Sequence, residues 1–356
     1  MRAFTYDALP GRVVFGSGAA RDGLPGEVEA FDAERILLVS SSADSGLAHE
    51  LCTPFADRIA ATFSAIRPHV PLDVAEQARE AAADAHADLV LSIGGGSTTG
   101  LAKAVALTTG LPIVAVPTTY AGSEVTPVWG LTEGTRKTTG TDPRALPRTV
   151  IYDPDLTLTL PVPLSVASGL NAMAHCVEAF WAPRRNPVSS AVAEDGIRNL
   201  ASALPAITAD PADRDARAGL LLGAYLAGSA FAVAGSGLHH KICHVLGGAF
   251  DLPHAQTHAI VLPHVLAYNA PAAPEATSRI ASALGRPDPI EGLHGLGHEL
   301  GVPDGLRELG LREGDIDTVL DEILALAPAD NPRRVTRQSL RTLLHAAWTG
   351  SAKETA

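Results

Sequence analysis

The chain reads as two folds in series: an N-terminal doubly wound α/β domain on a parallel sheet, residues 1–160, and a C-terminal all-α domain, residues 161–356. Three observations predict this. Short β-branched runs alternate with helical patterns through the first half. After Pro161 and Pro163 such runs largely disappear and helical patterns take over. At 356 residues the chain is also longer than one ordinary core supports.

Each element has its own reason. The start, MRAFTYDALPGRVVFG, alternates polar and apolar residues as a strand does and lacks the basic segment and apolar run of a signal peptide. The runs ILLVS (36–40), LVLSIGGG (89–96), PIVAVPTT (112–119) and TVIYDP (149–154) each end in Gly, Ser, Thr or Pro, as buried parallel strands do. Between the first two, residues 72–86 are Ala-rich and helical, and a second helix is expected over 99–109. In the second half, helices are expected over 165–181, 187–204, 213–234 and 237–250, with several more to the C-terminus, where the tail SAKETA is expected to fray. The most apolar stretch, LLLGAYLAGSAFAVAG (220–235), is short and rich in small residues, so it is expected to be a buried helix and not a membrane span.

Composition bounds the function. Hydrophobic residues make up 46% and charged residues 19%, enough to bury substantial cores. A formal charge of -12 with no Lys or Arg run argues against nucleic acid, yet leaves room for an anionic substrate in a locally positive cleft. Three cysteines, Cys52, Cys176 and Cys243, cannot all pair and form no CxxC, so a reduced cytoplasm is the expected setting.

The chemistry concentrates in the second half. Asn171 and His175 stand four residues apart, as do His240 and His244, so on helices each pair shares a face; His254 follows shortly after. Such an array can hold a divalent metal or donate protons, but the carboxylate that usually completes an imidazole metal site is missing and an amide stands at 171. His239 must point elsewhere than its neighbour His240 and is a secondary candidate for substrate contact. His258 and His264 read as structural. Cys176 and Cys243 read as small buried hydrophobes.

A second locus lies in the first half. Gly94, Gly95, Gly96 and Ser97 follow an apolar strand and precede a helix, where backbone approach and free N–H groups suit a pyrophosphate. The stretch is neither a GxGxxG fingerprint nor a Walker loop. Thr118, Thr119, Tyr120 and Ser123 end the next strand, where a ribose or nicotinamide would rest, and Ser41 closes the strand at 36–40. No Asp or Glu occupies 40–42 to repel a 2′-phosphate, so both NADH and NADPH are expected to serve.

The stretches GGGSTTGLAKA, PTTYAGSEVTP, DPDLTLTLP, SGLNAMAHCVEA, GLHHKICHVLGG and PHAQTHAIVLPH occur in order over roughly residues 12–268. Together they resemble the iron-containing alcohol dehydrogenase superfamily, most closely its maleylacetate reductase branch. Two departures from the usual dehydrogenase pattern support the branch: Gly100 stands where GGGSxxD has Asp, and Asn171 stands where the first metal ligand is Asp. The resemblance implies an active site in a cleft between the domains, a homodimer, a cofactor-contacting Lys137, and, should a metal bind, ligation by Asn171, His175, His240 and His254. It further implies NAD(P)H-dependent reduction of the conjugated double bond of maleylacetate, a small dicarboxylate, to 3-oxoadipate in aromatic catabolism. Arg144 is a candidate to meet a substrate carboxylate, and because the amide at 171 leaves only neutral ligands, no metal is expected to be required. Two alternatives stay open: a metal-dependent alcohol or polyol dehydrogenase of the same superfamily, and a non-catalytic nucleotide-binding regulatory module.

Overall fold

The computed structural model describes residues 4–9, 11–134 and 136–351, with the side chain of Lys137 outside that description. The chain divides into two compact units. One is Ala8–Leu160; the other comprises the described residues from Pro161 onward with the short N-terminal stretch ending at Asp7.

The first unit runs β1 (Arg12–Phe15), α1 (Ala19–Glu29), β2 (Ile36–Ser40), α2 (Ser45–Cys52), β3 (Ile59–Phe63), α3 (Leu72–Asp84), β4 (Leu89–Gly94), α4 (Gly96–Thr109), β5 (Ile113–Pro117), a hairpin of β6 (Val128–Glu133) and β7 (Arg136–Thr141), and β8 (Thr149–Tyr152). Six strands form one sheet in the order β1-β8-β5-β4-β2-β3, and all five pairings in it are parallel. The strands β2, β4 and β5 are buried along their whole length, which is why they are uninterrupted apolar runs and not alternating ones. After β2 the chain builds outward to β3, and after β4 it builds the other way to β5. The topological switch therefore falls between β2 and β4, where open α/β sheets bind ligands at the carboxyl ends of their strands.

Polar anchors fix the connections. Asp153, just past β8, accepts the backbone N–H of Gly18 and of Ala20 at 3.1 Å each, satisfying donors at the start of α1. Lys103, buried on α4, donates to the carbonyls of Ser123, Thr126 and Val128 and to the Thr126 hydroxyl, and so ties the segment after β5 to the helix. Beside it Tyr152 donates to the buried Glu124 carboxylate at 2.6 Å.

The second unit is helical: α5 (Val162–Ala179), α6 (Pro187–Ala209), α7 (Arg214–Ala234), α8 (Leu238–Phe250), α9 (His254–Asn269), α10 (Pro274–Leu284), α11 (Pro289–Glu299), α12 (Ile316–Leu326) and α13 (Arg337–Thr349). Helix α6 starts at a capping box in which Asn186 accepts from Val188 and Ser189, and it runs through Pro205 to Ala209, five residues past the expected end at 204. By length and composition α7 could cross a membrane, but 56% of its most apolar window is buried and it packs against α5 and α6 as a core helix. Its Arg217 is wholly buried and donates to Ser165 of α5 and to the carbonyl of Pro211. A separate core joins α8 and α9 to α12 and α13 through Leu246, Val265, Leu320 and Leu344. The frayed tail expected at SAKETA lies, beyond Ser351, outside the described residues.

Candidate functional site

The glycine run is not a loop between strand and helix. Gly94 is the last residue of β4, Gly95 is the extended N-cap of α4, and the helix begins at Gly96 instead of the expected Thr99. Gly94 has φ 148°, a conformation open to glycine, and a Cβ there would come within 2.6 Å of the Thr98 hydroxyl. A Cβ on Gly95 would meet the Thr119 methyl at 2.9 Å. The ends of β4 and β5 thus approach each other closely, leaving the first-turn N–H groups of α4, with half-buried Ser97, at the carboxyl edge of the sheet. Such a backbone cradle suits a pyrophosphate.

The other residues expected at this locus separate. Thr118 is buried and Thr119 half-buried beside the glycines, and Ser123 gives its carbonyl to Lys103. Tyr120 has no exposed surface and so is not open to a substrate. Arg144 is exposed but already held by Asp142 through contacts of 3.0 and 2.7 Å, so meeting a substrate carboxylate would require breaking that pair. Lys137 lies on β7, and its side chain falls outside the described residues.

Asp44 was not singled out in the sequence. Ser41 donates to its carboxylate at 2.5 Å, and that carboxylate lies 3.0 Å from where a Gly94 Cβ would stand. A carboxylate, absent from 40–42, therefore stands four residues beyond β2, beside the end of β4. A turn that folds back on itself hides this from strand-end counting.

In the helical unit, α5 carries Asn171 and His175, α8 carries His239, His240 and His244, and α9 opens with His254. The structure brings these rings together. His175 stacks on His240 with centroids 4.4 Å apart and touches Phe231 at 4.5 Å; His240 meets His244 edge-on at 6.0 Å; His244 and His254 lie parallel at 6.2 Å. His258, read from the sequence as structural, stands among them, 5.0 Å from His240 and 4.3 Å from His254. Exposure falls inward: His244 and His254 are exposed, His175 and Asn171 half-buried, His240 buried, and His239 and His258 wholly so. His239 therefore has no surface for substrate contact. His264 lies elsewhere, edge-on to His294.

The residue that organises the cluster is Glu178, also missed. It follows His175 by three positions, so Asn171, His175 and Glu178 lie along one face of α5, a spacing legible in the sequence. The carboxylate is buried, accepts the N–H of Gly237 at 2.7 Å and of His239 at 2.6 Å, and pairs with His240 Nδ1 at 2.5 Å. A Cβ on Gly237 would meet it at 2.7 Å. Glu178 thus fixes the start of α8 and holds the His240 ring, turning Nε2 away from the carboxylate.

Burial raises the Glu178 carboxyl above its ordinary range, while His239 and the N–H donors pull it back. Burial first, and then the neighbouring imidazoles, push His175, His240 and His258 well down and bring His239 to about 3. These inner rings are neutral at pH 7. Of these neutral rings, His240 has its tautomer set by the Glu178 carboxylate.

The residues do not fit the metal that the resemblance implies. At 171 the side chain is an amide whose nitrogen lies 3.4 Å from His175 Nε2. Among the described residues, the set of three or more His, Cys, Asp or Glu donors that converge within 4.8 Å is a different one, His239, Cys243 and His258.

With this geometry in view, the comparisons with known proteins are decisive for family. The profile for iron-containing alcohol dehydrogenase matches residues 10–154, and that for the Fe-containing alcohol dehydrogenase family, C-terminal, matches residues 165–348. The chain belongs to the iron-containing alcohol dehydrogenase family. Within it, the chain is similar to the maleylacetate reductase of Sphingobium indicum, with 48% identity over 98% of each chain. It is also similar to the crystal structure of maleylacetate reductase from Agrobacterium tumefaciens, with a TM-score of 0.94 and 43% identity over 99% of this chain and 100% of that one. The crystal structure of an iron-containing alcohol dehydrogenase from Corynebacterium glutamicum superposes with a TM-score of 0.96 at 49% identity, covering all of both chains.

Proposed function

We propose that the chain is a maleylacetate reductase, reducing the carbon–carbon double bond of maleylacetate with a reduced nicotinamide dinucleotide to give 3-oxoadipate. The observation that carries this reading is the 48% identity, over 98% of both chains, to a maleylacetate reductase. The glycine cradle at the end of β4 supports dinucleotide binding, because Gly94 and Gly95 leave backbone where any side chain would collide.

The substrate is a dianion whose double bond is conjugated to a ketone. A bound reduced nicotinamide supplies the hydride, which adds at the carbon β to that ketone and leaves an enolate. The protein must then stabilise negative charge on the ketone oxygen and deliver one proton to the α carbon. His244 and His254, the exposed members of the array, are assigned to the substrate, and His240 and His175 back them. Glu178, accepting from His240 Nδ1, orients that imidazole and fixes its tautomer, so the neutral ring presents Nε2 as a proton acceptor. None of these steps calls for a Lewis acid.

We propose that turnover does not depend on a metal, that Asp44 makes NADH the better reductant while NADPH still serves, and that the protein acts as a cytoplasmic homodimer. The dimer is supported by the exposed Val13 and Phe15 on β1, an edge strand that among the described residues pairs with β8 alone. A second reading, a metal-dependent alcohol dehydrogenase, is favoured by the likeness to the Corynebacterium protein. The amide at 171 weighs against it, since only neutral ligands then remain. Steady-state oxidation of NADH with maleylacetate and with a panel of simple ketones, with iron or zinc added to metal-depleted enzyme, separates the two. Turnover of maleylacetate unaffected by metal supports the proposal; turnover only of simple carbonyls, restored in proportion to metal, refutes it.

A further inference from the structure

The proposed substrate carries two carboxylates, and the inner part of the histidine array offers them no positive charge. Its rings are neutral at pH 7, and its acid, Glu178, is taken up by three buried donors. Arg144, the cation singled out in the sequence for this task, is already held by Asp142. One cation beside the array has no role so far. Lys241 follows His240 directly on α8 and precedes His244 by three positions.

Three positions are nearly one helical turn, so Lys241 and His244 share a side of α8, with Cβ atoms about 5–6 Å apart. Helical side chains lean toward the N-terminus, which carries the His244 ring back over the turn that holds His240 and Lys241. His244 in turn lies parallel to His254 at 6.2 Å, so the exposed end of the array adjoins the lysine. Electrostatics agrees with this placement. Burial first, then His244 and His254, hold His240 below its ordinary range, and the Lys241 charge adds to them.

We propose, resting on the reading of the substrate as maleylacetate, that Lys241 is a substrate-binding residue whose ammonium receives one carboxylate of the dianion at the His244–His254 end of the array. Its surroundings set it apart from an ordinary surface lysine. It is the only lysine among the described residues of the helical unit, and it is half-buried. Among the described residues its ammonium makes no hydrogen bond or ion pair, whereas Lys103 has four oxygen acceptors. A partly desolvated ammonium without an acceptor of its own meets an anion at less cost than a fully hydrated one. Its charge draws an anion toward the array inside a chain of formal charge -12.

The test compares Lys241→Met, which keeps the stem and loses the charge, with Lys241→Arg, which keeps the charge. Each is measured for melting temperature, for NADH affinity by fluorescence titration, and for steady-state kinetics with maleylacetate. The Met variant is expected to raise the KM for maleylacetate about ten- to a hundredfold with kcat little changed, at unaltered melting temperature and NADH affinity. The Arg variant is expected to recover most of the loss. An unchanged KM in the Met variant overturns the proposal. So does an Arg variant no better than Met, or a loss that NADH affinity shares in equal measure, as a merely structural role would produce. Adipate, which has two carboxylates and no ketone, tests the residue apart from the proposed activity. Titrated calorimetrically into full-length protein with saturating NADH, it is expected to bind the wild type at least about tenfold more tightly than the Met variant. Adipate affinity that is equal in the two proteins, or too weak to measure in both, overturns the role of Lys241. Adipate binding that depends on Lys241 in a protein that does not turn over maleylacetate supports that role and overturns the proposed activity alone.

Discussion

Replacing Glu178 by Gln keeps the shape of the side chain and removes its charge, and the consequences follow from what the carboxylate holds. Its two oxygens accept three donors: the N–H of His239 on one, and the N–H of Gly237 with His240 Nδ1 on the other. An amide can present only one oxygen, so in either orientation an NH2 group faces at least one buried donor. An unsatisfied buried N–H costs about 1–3 kcal/mol, which predicts a fall in melting temperature of several degrees at roughly 2–4 °C per kcal/mol. The effect on catalysis is larger in proportion. If the amide donates to His240 Nδ1, the ring's tautomer inverts, and an amide in place of a histidine-orienting carboxylate can cost up to roughly 10⁴ in kcat. We expect a loss of about 10²–10⁴ in kcat with maleylacetate and little change in dinucleotide affinity, read by steady-state kinetics and fluorescence titration of NADH on the same folded preparation. A well-folded Glu178→Gln enzyme with kcat within about twofold of wild type would refute the orienting role.

Three further predictions address the other parts. His244→Ala and His254→Ala should each lower kcat/KM by on the order of a hundredfold or more while NADH still binds; wild-type kinetics in both would remove the exposed end of the array from the chemistry. Gly95→Ala places a methyl 2.9 Å from Thr119 and should weaken NADH binding at least about tenfold, with unchanged binding disproving the cradle. Asp44→Ala should improve kcat/KM for NADPH relative to NADH by about tenfold, or 1.4 kcal/mol, and an unaltered ratio would show that this carboxylate does not face the ribose.

The parallel sheet was legible because its central strands are buried on both faces and spell uninterrupted apolar runs. The edge strand β3 and the surface hairpin were not, whereas the other edge, β1, falls within the strand expected at the start. The strand β3 alternates exposed and partly buried residues and buries only its last, and the β6–β7 hairpin mixes threonines, glycines and charges with three apolar residues. Helix α6 passes through Pro205 although a proline usually ends the reading of a helix, because tertiary packing outweighs the lost bond. The gathering of the histidines was legible from four-residue spacings. Glu178 could have been read the same way, but a carboxylate among apolar residues looks like a helix-surface charge until its three donors are seen. Asp44 and the wholly buried Tyr120 were beyond reach, since one depends on how a turn folds back and the other on how a polar loop is covered.

The central claim is that this histidine array, in a chain of the iron-containing alcohol dehydrogenase family, reduces a conjugated double bond and not an isolated carbonyl. The most direct measurement is product analysis: maleylacetate and NADH incubated with the enzyme in deuterated water, followed by mass spectrometry and NMR. The account predicts 3-oxoadipate formed mole for mole with NADH consumed, with one solvent deuteron at the carbon next to the ketone before any exchange. A 4-hydroxy product that retains the double bond, formed by hydride transfer to the ketone carbon, would contradict it.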